Sequence, residues 1–268
     1  MIRIINADVI DGLRSLPEKS VHCVITSPPY DNLRKYGEYT WDFKKTALEL
    51  FRVLVDGGVI CWNVGDATIN GSETLTGARQ AIYFVDRVGF NLHDTMIWEK
   101  TNCTNPERVR YTQLFEFIYI LSKGKPRAFN PIFDKKNTYA GTSCFGENTF
   151  RKPDGTMGKR SKPIIKDFGM RGNVWKGNTR GQEEVCKEQD HPGMMPKWLA
   201  RDLIRSWSNP NDLILDPFAG SGTTGVEARD LNRDAVLIEI NPAYVEIARR
   251  KLRADEQLFD DTVQVITA

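Results

Sequence analysis

The sequence is poor in metal-binding residues and has no long apolar run. Its 268 residues include only three histidines and five scattered cysteines, and no two cysteines stand at the spacing of a zinc site. No apolar stretch approaches the roughly 18 residues that a membrane span needs, and no secretory leader opens the sequence. We therefore predict a cytoplasmic protein with reduced thiols, no metal and no membrane partner.

Positive charge is concentrated in the middle of the chain. Residues 100–187 contain 18 Lys or Arg and 8 Asp or Glu, whereas the whole chain has a net charge of only +2. A basic segment inside an acidic frame predicts a surface for a polyanion. The alternative is a solvated, lysine-rich loop region.

Strands alternate with amphipathic helices in two regions of the sequence, residues 1–123 and residues 188–268. This alternation predicts an α/β fold with a mostly parallel, doubly wound sheet. Residues 124–187 are rich in glycine, proline, lysine and asparagine and show no periodic helix, so we predict a small irregular insert there. The tail beyond Leu252 is predicted to be weakly ordered.

A predicted buried strand that begins at Val21 ends at Ser27-Pro28-Pro29-Tyr30. Two consecutive prolines cannot continue a strand, because neither has an N–H and both fix φ. Ligands of open α/β sheets bind at the carboxyl ends of the strands. A hydroxyl, a backbone carbonyl and an aromatic ring at such a place suit a flat ring that carries an amino group. The alternative is a strand-ending turn with a core tyrosine.

A glycine-rich turn follows another predicted strand and opens a helix. Residues 220–225 match G-x-G-x-x-G, and Glu239 ends the next predicted strand. Such glycines let a cofactor approach the backbone, and the acid can hold ribose hydroxyls. The motif alone does not choose between a nicotinamide dinucleotide and S-adenosylmethionine. Asp216, just before the turn, favours the second, because a carboxylate attracts a cationic amino-acid group and repels a pyrophosphate.

Two motifs in this order, TSPPY at 26–30 and LDPFAGSGTTG at 215–225, resemble those of the DNA amino-methyltransferases in their permuted beta arrangement. These enzymes transfer a methyl group from S-adenosylmethionine to N4 of cytosine or N6 of adenine. The resemblance implies a Rossmann-like methyltransferase sheet with a target-recognition insert. It divides the chain into a catalytic half (1–123), the insert (124–187) and a cofactor-binding half (188–268).

The resemblance also implies roles for individual residues. Ser27, Pro28, Pro29 and Tyr30 form the catalytic tetrapeptide and hold the target base, which must leave the duplex. Asp8 reads the adenine amino group of the cofactor or only caps a helix, and the two roles are compatible. The residues implied to bind S-adenosylmethionine are Asp8, His191, Asp216, Pro217, Phe218, Gly220, Gly222, Thr223 and Glu239.

Double-stranded DNA is the implied partner, bound by basic side chains of the insert and of the loop before it. The candidate DNA-contacting residues are Arg108, Arg110, Lys135, Lys136, Arg151, Lys152, Lys159, Arg160 and Arg171. A cognate restriction nuclease and a second copy of the chain are further partners that the sequence leaves open. The resemblance also implies a prokaryotic or phage source.

Serine at the first position of the tetrapeptide favours N4 of cytosine as the target, because the family's adenine enzymes more often carry aspartate there. N6 of adenine stays the first alternative. No cysteine follows a proline, which argues against C5 methylation of cytosine through a covalent adduct. A nicotinamide oxidoreductase and a non-catalytic DNA-binding module are the alternatives from other classes.

Overall fold

The computed structural model describes residues 1–29, 40–102, 110–143, 149–159, 164–179, 194–254 and 263–267. The chain divides into two compact units. The larger comprises Met1–Asn130 and Asn173–Ala268, and the smaller comprises Pro131–Gly172. No helix in the described part of the chain is long and apolar enough to cross a membrane.

Strands and helices alternate along the larger unit. The strands of the described residues are β1 (Ile2–Asn6), β2 (Val21–Thr26), β3 (Leu54–Val64), β4 (Thr68–Ile69), β5 (Ser72–Glu73), β6 (Asn91–Lys100), β7 (Phe115–Ser122), β8 (Phe133–Lys136), β9 (Thr149–Arg151), β10 (Met157–Lys159), β11 (Phe168–Met170), β12 (Val174–Gly177), β13 (Leu213–Asp216), β14 (Asp234–Glu239) and β15 (Val263–Thr267). The helices are α1 (Val9–Arg14), α2 (Phe43–Val53), α3 (Thr76–Tyr83, continued by a π-helical turn over Phe84–Val88), α4 (Lys197–Trp207), α5 (Thr223–Asp230) and α6 (Pro242–Ala254).

A nine-stranded sheet forms the centre of the larger unit, with the strand order β12-β6-β7-β3-β2-β13-β14-β1-β15. Neighbouring strands are parallel, except that β7 runs antiparallel to both β3 and β6. β7 follows β6 along the chain, and antiparallel neighbours need no crossover helix between them. The prediction of a mostly parallel α/β sheet is confirmed.

Helices pack on both faces of the sheet, as two consecutive residues of β14 show. Successive side chains of a strand point to opposite faces. A Cβ at Gly12 of α1 would lie 2.7 Å from Cγ2 of Ile238, and a Cβ at Gly225 of α5 would lie 2.6 Å from Cδ1 of Leu237. α1 and α5 therefore cover opposite faces, which makes the sheet doubly wound.

The central strands are buried on both faces, as expected for parallel strands between two helix layers. Along β2, His22 alone is partly exposed. On one face, Trp62 and Phe84 are fully buried in a cluster with side chains of α1 and α2. Burying each of these side chains contributes roughly 1.5–3 kcal/mol. The core therefore fixes the sheet, and with it the positions of the strand ends.

The smaller unit contains two pairs of antiparallel strands, β8 with β11 and the hairpin of β9 with β10. The smaller unit comprises fewer residues than the predicted insert, because residues 124–130 and 173–179 lie in the larger unit. There β12 extends the main sheet beside β6, with Trp175 buried. A buried tryptophan ties this segment to the main core rather than to the insert.

The prediction of a weakly ordered tail is wrong for residues 263–267. These residues form β15, which pairs with β1 in parallel register. Val265 and Ile266 are exposed on this strand. Apolar side chains that are exposed, as these two are, form no core pattern, which explains why the sequence did not indicate the strand.

Candidate active site

The carboxyl ends of β2 and β13 meet at one edge of the sheet. The two strands are parallel neighbours, with Val24 beside Leu215. At their ends the hydroxyl of Thr26 donates a hydrogen bond to Oδ1 of Asp216 at 2.8 Å, across 190 positions of sequence. Both side chains are buried. This bond holds the strand end that continues into Ser27 against the glycine-rich turn.

A cavity of about 280 Å³ opens at this edge. Its walls come from the ends of β1, β2, β13 and β14, from the glycine-rich turn and from the segment before α4. Both predicted motifs contribute to it, namely through Ser27, Pro29, Asp216, Pro217, Phe218 and Gly220. The two motifs thus line one cavity.

Asp216 is a buried carboxylate in the cavity wall. Its oxygens accept hydrogen bonds from Thr26 at 2.8 Å, from Oγ1 of Thr224 at 2.6 Å and from the N–H of Phe218 at 3.1 Å. Burial disfavours the charged form and raises the pKa of Asp216 to about 6, although the three hydrogen bonds oppose the rise. A carboxylate has about four acceptor sites. With three donors from the described residues, Asp216 can still bind a cationic ligand group, which would stabilise its charged form.

Glu239 is held at the end of β14 by two backbone groups. The N–H of Gly220 donates to Oε2 and the N–H of Asn241 donates to Oε1, each at 2.8 Å. Burial raises the pKa of Glu239, and these backbone hydrogen bonds partly offset the rise. One bond to each oxygen fixes the carboxylate and leaves each oxygen able to accept a second bond. Two neighbouring hydroxyl groups of a ribose would suit it.

The glycine-rich turn depends on left-handed backbone. Gly220 has φ +50° and Gly222 has φ +81°, values that glycine adopts without steric cost. Gly222 caps α5, and a Cβ there would lie 2.7 Å from the Cβ of Ala248 in α6. Thr223, the first residue of α5, lines the cavity. The N–H groups at a helix start favour a negatively charged ligand group.

Replacing Gly222 with alanine is expected to destabilise the protein by about 2–5 kcal/mol. The left-handed φ costs about 1–2 kcal/mol, and overpacking against α6 adds roughly 1–3 kcal/mol. Gly71→Ala is the matched control, because Gly71 has φ +82° but a Cβ there meets no atom within 4 Å. Urea unfolding measures both variants. Equal losses of stability would contradict a role for the contact with Ala248.

Asp8 caps α1, since its Oδ1 accepts a hydrogen bond from the N–H of Ile10 at 2.8 Å. Its neighbours Ala7 and Val9 line the cavity, but Asp8 is not among the lining residues. The predicted cap is confirmed, and contact with the cofactor stays a prediction. Four predicted site residues lie outside the described part of the chain: Tyr30, Arg108, Arg160 and His191.

The predicted DNA-contacting residues belong to both units. Arg110, in the larger unit, donates to Oγ1 of Thr68 at 3.1 Å and to the carbonyl of Gly71 at 3.2 Å, both in the β4–β5 hairpin. In the smaller unit, Nε of Arg171 donates to Oδ2 of Asp134 at 2.9 Å. The other candidates lie on or beside the strands of that unit: Lys135, Lys136, Arg151, Lys152 and Lys159.

Sequence reasoning did not identify the hydroxyl groups that hold Asp216. Thr26 and Thr224 lie within the two motifs, but a sequence cannot show that both bind one carboxylate. Met195 and Tyr244 also line the cavity. Their side chains suit a flat aromatic ligand, and no motif marks either of them.

Comparison with known proteins identifies the family of the chain. A family model described as DNA methylase, of N6 and N4 type, matches residues 21–250. The orphan methyltransferase M.BamHII of Bacillus amyloliquefaciens is 43% identical over 237 residues, which cover 87% of this chain and 89% of that protein. The type II methyltransferase M.SmaI of Serratia marcescens is 29% identical over 302 residues, which cover 93% of this chain and 90% of that protein.

Solved structures show the same fold. The PvuII DNA methyltransferase, specific for cytosine N4, has a TM-score of 0.67 at 20% identity, covering 96% of this chain and 86% of its own. A protein of Thermus thermophilus, described as a DNA modification methylase and solved with S-adenosyl-L-methionine, has a TM-score of 0.64 at 23% identity, covering 100% of this chain and 99% of its own. Because the family model spans most of the sequence, the chain belongs to the N6/N4 DNA methylase family and is a DNA methyltransferase that uses S-adenosylmethionine.

Proposed function

We propose that this enzyme methylates the exocyclic N4 amine of cytosine at a specific site in double-stranded DNA. The observation that carries the proposal is Ser27 in the wall of the cavity that also contains Asp216 and Glu239. A serine at this position resembles the N4-cytosine enzymes of the family, whereas the adenine enzymes more often carry aspartate.

Residues of the cavity fit S-adenosylmethionine, which supplies an electrophilic methyl group when it is bound. Asp216 is a buried carboxylate that suits the cationic amino group, and Glu239 suits the ribose hydroxyls. The start of α5 at Thr223 suits the methionine carboxylate. Pro217, Phe218 and Gly220 of the turn complete the wall, and Gly222 is assigned to the cofactor through this turn, at whose end it caps α5.

Two further residues are assigned to the cofactor. Asp8 reads the adenine amino group, an assignment supported by Ala7 and Val9 on either side of it, which line the cavity. His191 belongs to the segment before α4, and Met194 and Met195 of the same segment line the cavity.

The proposed tetrapeptide compensates for a weak nucleophile. The lone pair of an exocyclic amine is delocalised into the ring of the base. Oγ of Ser27 and the carbonyl of Pro28 each accept one N–H of the amine, which favours a tetrahedral nitrogen with its lone pair directed at the methyl group. The proline pair keeps these acceptors rigid, so positioning supplies much of the rate, and the acceptors stabilise the developing ammonium. Tyr30 stacks on the extruded base.

The smaller unit is proposed as the main part of the target-recognition region. Lys135, Lys136, Arg151 and Lys152 lie on or beside its paired strands, and their positive charges suit contacts with phosphates and base edges. Two-stranded ribbons fit the major groove of B-DNA. Replacing these four residues with glutamine is expected to reduce the slope of log affinity against log salt by about three to four, roughly one for each phosphate that is no longer neutralised. An unchanged slope would place the DNA-binding surface elsewhere.

N6 of adenine is the second candidate target. The DNA adenine methyltransferase YhdJ of Escherichia coli K12 is 26% identical over 257 residues. Serine and aspartate oxygens can both accept an amine N–H, so the cavity also suits this amine.

The product of the reaction tests the proposal. The protein is expressed in a host that lacks DNA methyltransferases, and the host DNA is digested to nucleosides for mass spectrometry. N4-methylcytosine is the expected product. N6-methyladenine alone would select the second candidate, and neither product, despite soluble protein, would contradict both.

A further inference from the structure

A chain of polar side chains links β3 to β7 and β6, and β3 is the neighbour of the strand that leads into the proposed catalytic serine. Nδ2 of Asn63 donates to Oε2 of Glu116 at 3.0 Å and to the carbonyl of Phe117 at 3.2 Å. Nζ of Lys100 lies 2.5 Å from Oε1 of Glu116. Asn63 and Glu116 are both buried, and neither lines the cavity. Burying polar groups of this kind costs free energy unless they are hydrogen-bonded, so their position in the core suggests a role beyond packing.

The register of the sheet sets Asn63 next to Ser27. β2 and β3 are parallel neighbours, and Thr26 lies beside Trp62. One step further along both strands, Ser27 follows Thr26 and Asn63 follows Trp62. Because side chains alternate between the faces, Asn63 projects to the face opposite Trp62. Ser27 follows the end of β2 and precedes a proline, which favours extended backbone, so we expect its side chain to project to the same face. Neighbouring strands are about 4.8 Å apart, a spacing that an amide and a hydroxyl can bridge with a hydrogen bond.

Glu116 determines which way the Asn63 amide faces. An ionised carboxylate only accepts hydrogen bonds, so the NH₂ group must be the end that meets Glu116. Both acceptors of this NH₂ group, the Glu116 carboxylate and the Phe117 carbonyl, belong to β7. β7 lies on one side of β3 and β2 lies on the other. The amide oxygen, Oδ1, is the other end of this amide, and we expect it to face β2, the strand that leads into Ser27.

A serine at the first position of the tetrapeptide requires an acceptor for its hydroxyl proton, whereas an aspartate does not. The hydroxyl has one proton, and its oxygen can face an amine N–H only when that proton is directed elsewhere. A carboxylate carries no such proton. We propose that Asn63 is a positioning residue. In the reacting complex its Oδ1 accepts a hydrogen bond from the Ser27 hydroxyl, and this bond directs a lone pair of the Ser27 oxygen to the target amine. This inference rests on the proposed role of Ser27 in methyl transfer.

A double-mutant cycle tests the inference with Asn63→Leu, Ser27→Ala and the combination of both, measured by single-turnover methylation of duplex DNA. Asn63→Leu alone is expected to lower the methylation rate about tenfold, the size of one hydrogen bond, with the cofactor Kd and the KM for DNA changed less than about twofold. In the Ser27→Ala background the same change should have no further effect, because the hydroxyl that Asn63 orients is gone. An equal tenfold loss in both backgrounds would overturn the inference.

Two more variants keep the test decisive if Asn63→Leu fails to fold. Glu116→Gln keeps the Asn63 oxygen but lets the amide turn over, because glutamine can both donate and accept. A several-fold loss of rate is expected, again abolished in the Ser27→Ala background. Asn130→Leu is the control, since Nδ2 of Asn130 donates to the Ser208 carbonyl at 2.9 Å, before the start of β13 and not at its carboxyl end, where the cavity lies. It should change Tm and not the rate.

The outcome separates this inference from the proposed function. If the wild-type protein methylates DNA and the Ser27→Ala variant loses rate, but the cycle is additive, only the role of Asn63 fails. If Ser27→Ala leaves the rate unchanged, the proposed role of Ser27 fails as well.

Discussion

Replacing Asp216 with asparagine will weaken binding of S-adenosylmethionine by about 100-fold and leave the ligand-free protein at least as stable at pH 7. The loss of affinity follows from removing the charge that we propose to pair with the cationic amino group of the cofactor, because truncating one partner of a buried charge pair costs about 2–5 kcal/mol. Asparagine can keep the bonds to Thr26, Phe218 and Thr224, since a threonine hydroxyl can accept as well as donate. Isothermal titration calorimetry measures the affinity.

The pH dependence of stability gives the same variant a second signature. The folded pKa of Asp216, about 6, lies above the ordinary value of 3.8. Its contribution to stability is therefore fully present below about pH 4 and is lost as the pH rises through about 6. By pH 7 the loss amounts to about 3 kcal/mol. Asp216→Asn removes this dependence, so the difference in unfolding free energy between the variant and the wild type should grow between pH 4 and pH 6.

Binding of S-adenosylmethionine to the wild type should weaken as the pH falls below about 6, by up to tenfold per unit, because Asp216 must lose its proton to pair with a cation. Asp212→Asn is the control. Asp212 is equally buried, but it pairs with Arg127 at 2.7 Å before β13, so its loss should lower stability and spare the affinity. Unchanged cofactor affinity in Asp216→Asn would contradict the assignment of Asp216.

Replacing Ser27 with alanine is expected to slow DNA methylation by about 10²–10³-fold, the usual effect of removing one preorganised polar group that stabilises developing charge. The cofactor Kd should change less than about twofold, because the hydroxyl is assigned to the base and not to the cofactor. Single-turnover assays and calorimetry measure the two quantities separately. Ser20→Ala is the control, since the Ser20 hydroxyl donates to the Pro17 carbonyl before β2 begins. A Ser27→Ala variant with wild-type rate would contradict the catalytic assignment.

Local patterns in the sequence were sufficient for the fold class and for the two motifs. The proline pair marks where β2 ends, and the glycines with Glu239 mark the turn and the next strand end. That both motifs line one cavity follows from a general rule, because the carboxyl ends of parallel strands lie at the same edge of the sheet. The cavity that contains Ser27 and Asp216 agrees with this rule.

Contacts between distant parts of the chain could not be predicted. The bond from Thr26 to Asp216 depends on β2 and β13 being neighbours, and strand order is not encoded in any local pattern. The same holds for Asn63 and Glu116, which meet only because β7 inserts antiparallel between β3 and β6. The pairing of β12 with the main sheet is a further example, since β12 is a short strand whose partner, β6, lies far back in the sequence.

The strand order also constrains how the polypeptide can fold as it is synthesised. β1 comes first among the strands, yet both of its partners, β14 and β15, come last. Until β14 has left the ribosome, β1 has no neighbour in the sheet, and the backbone N–H and C=O groups of this apolar strand, which carries Ile2, Ile4 and Ile5, have no strand to pair with. Unpaired edges of this kind favour aggregation during synthesis. The nascent chain is therefore expected to need chaperone protection until its final strands emerge.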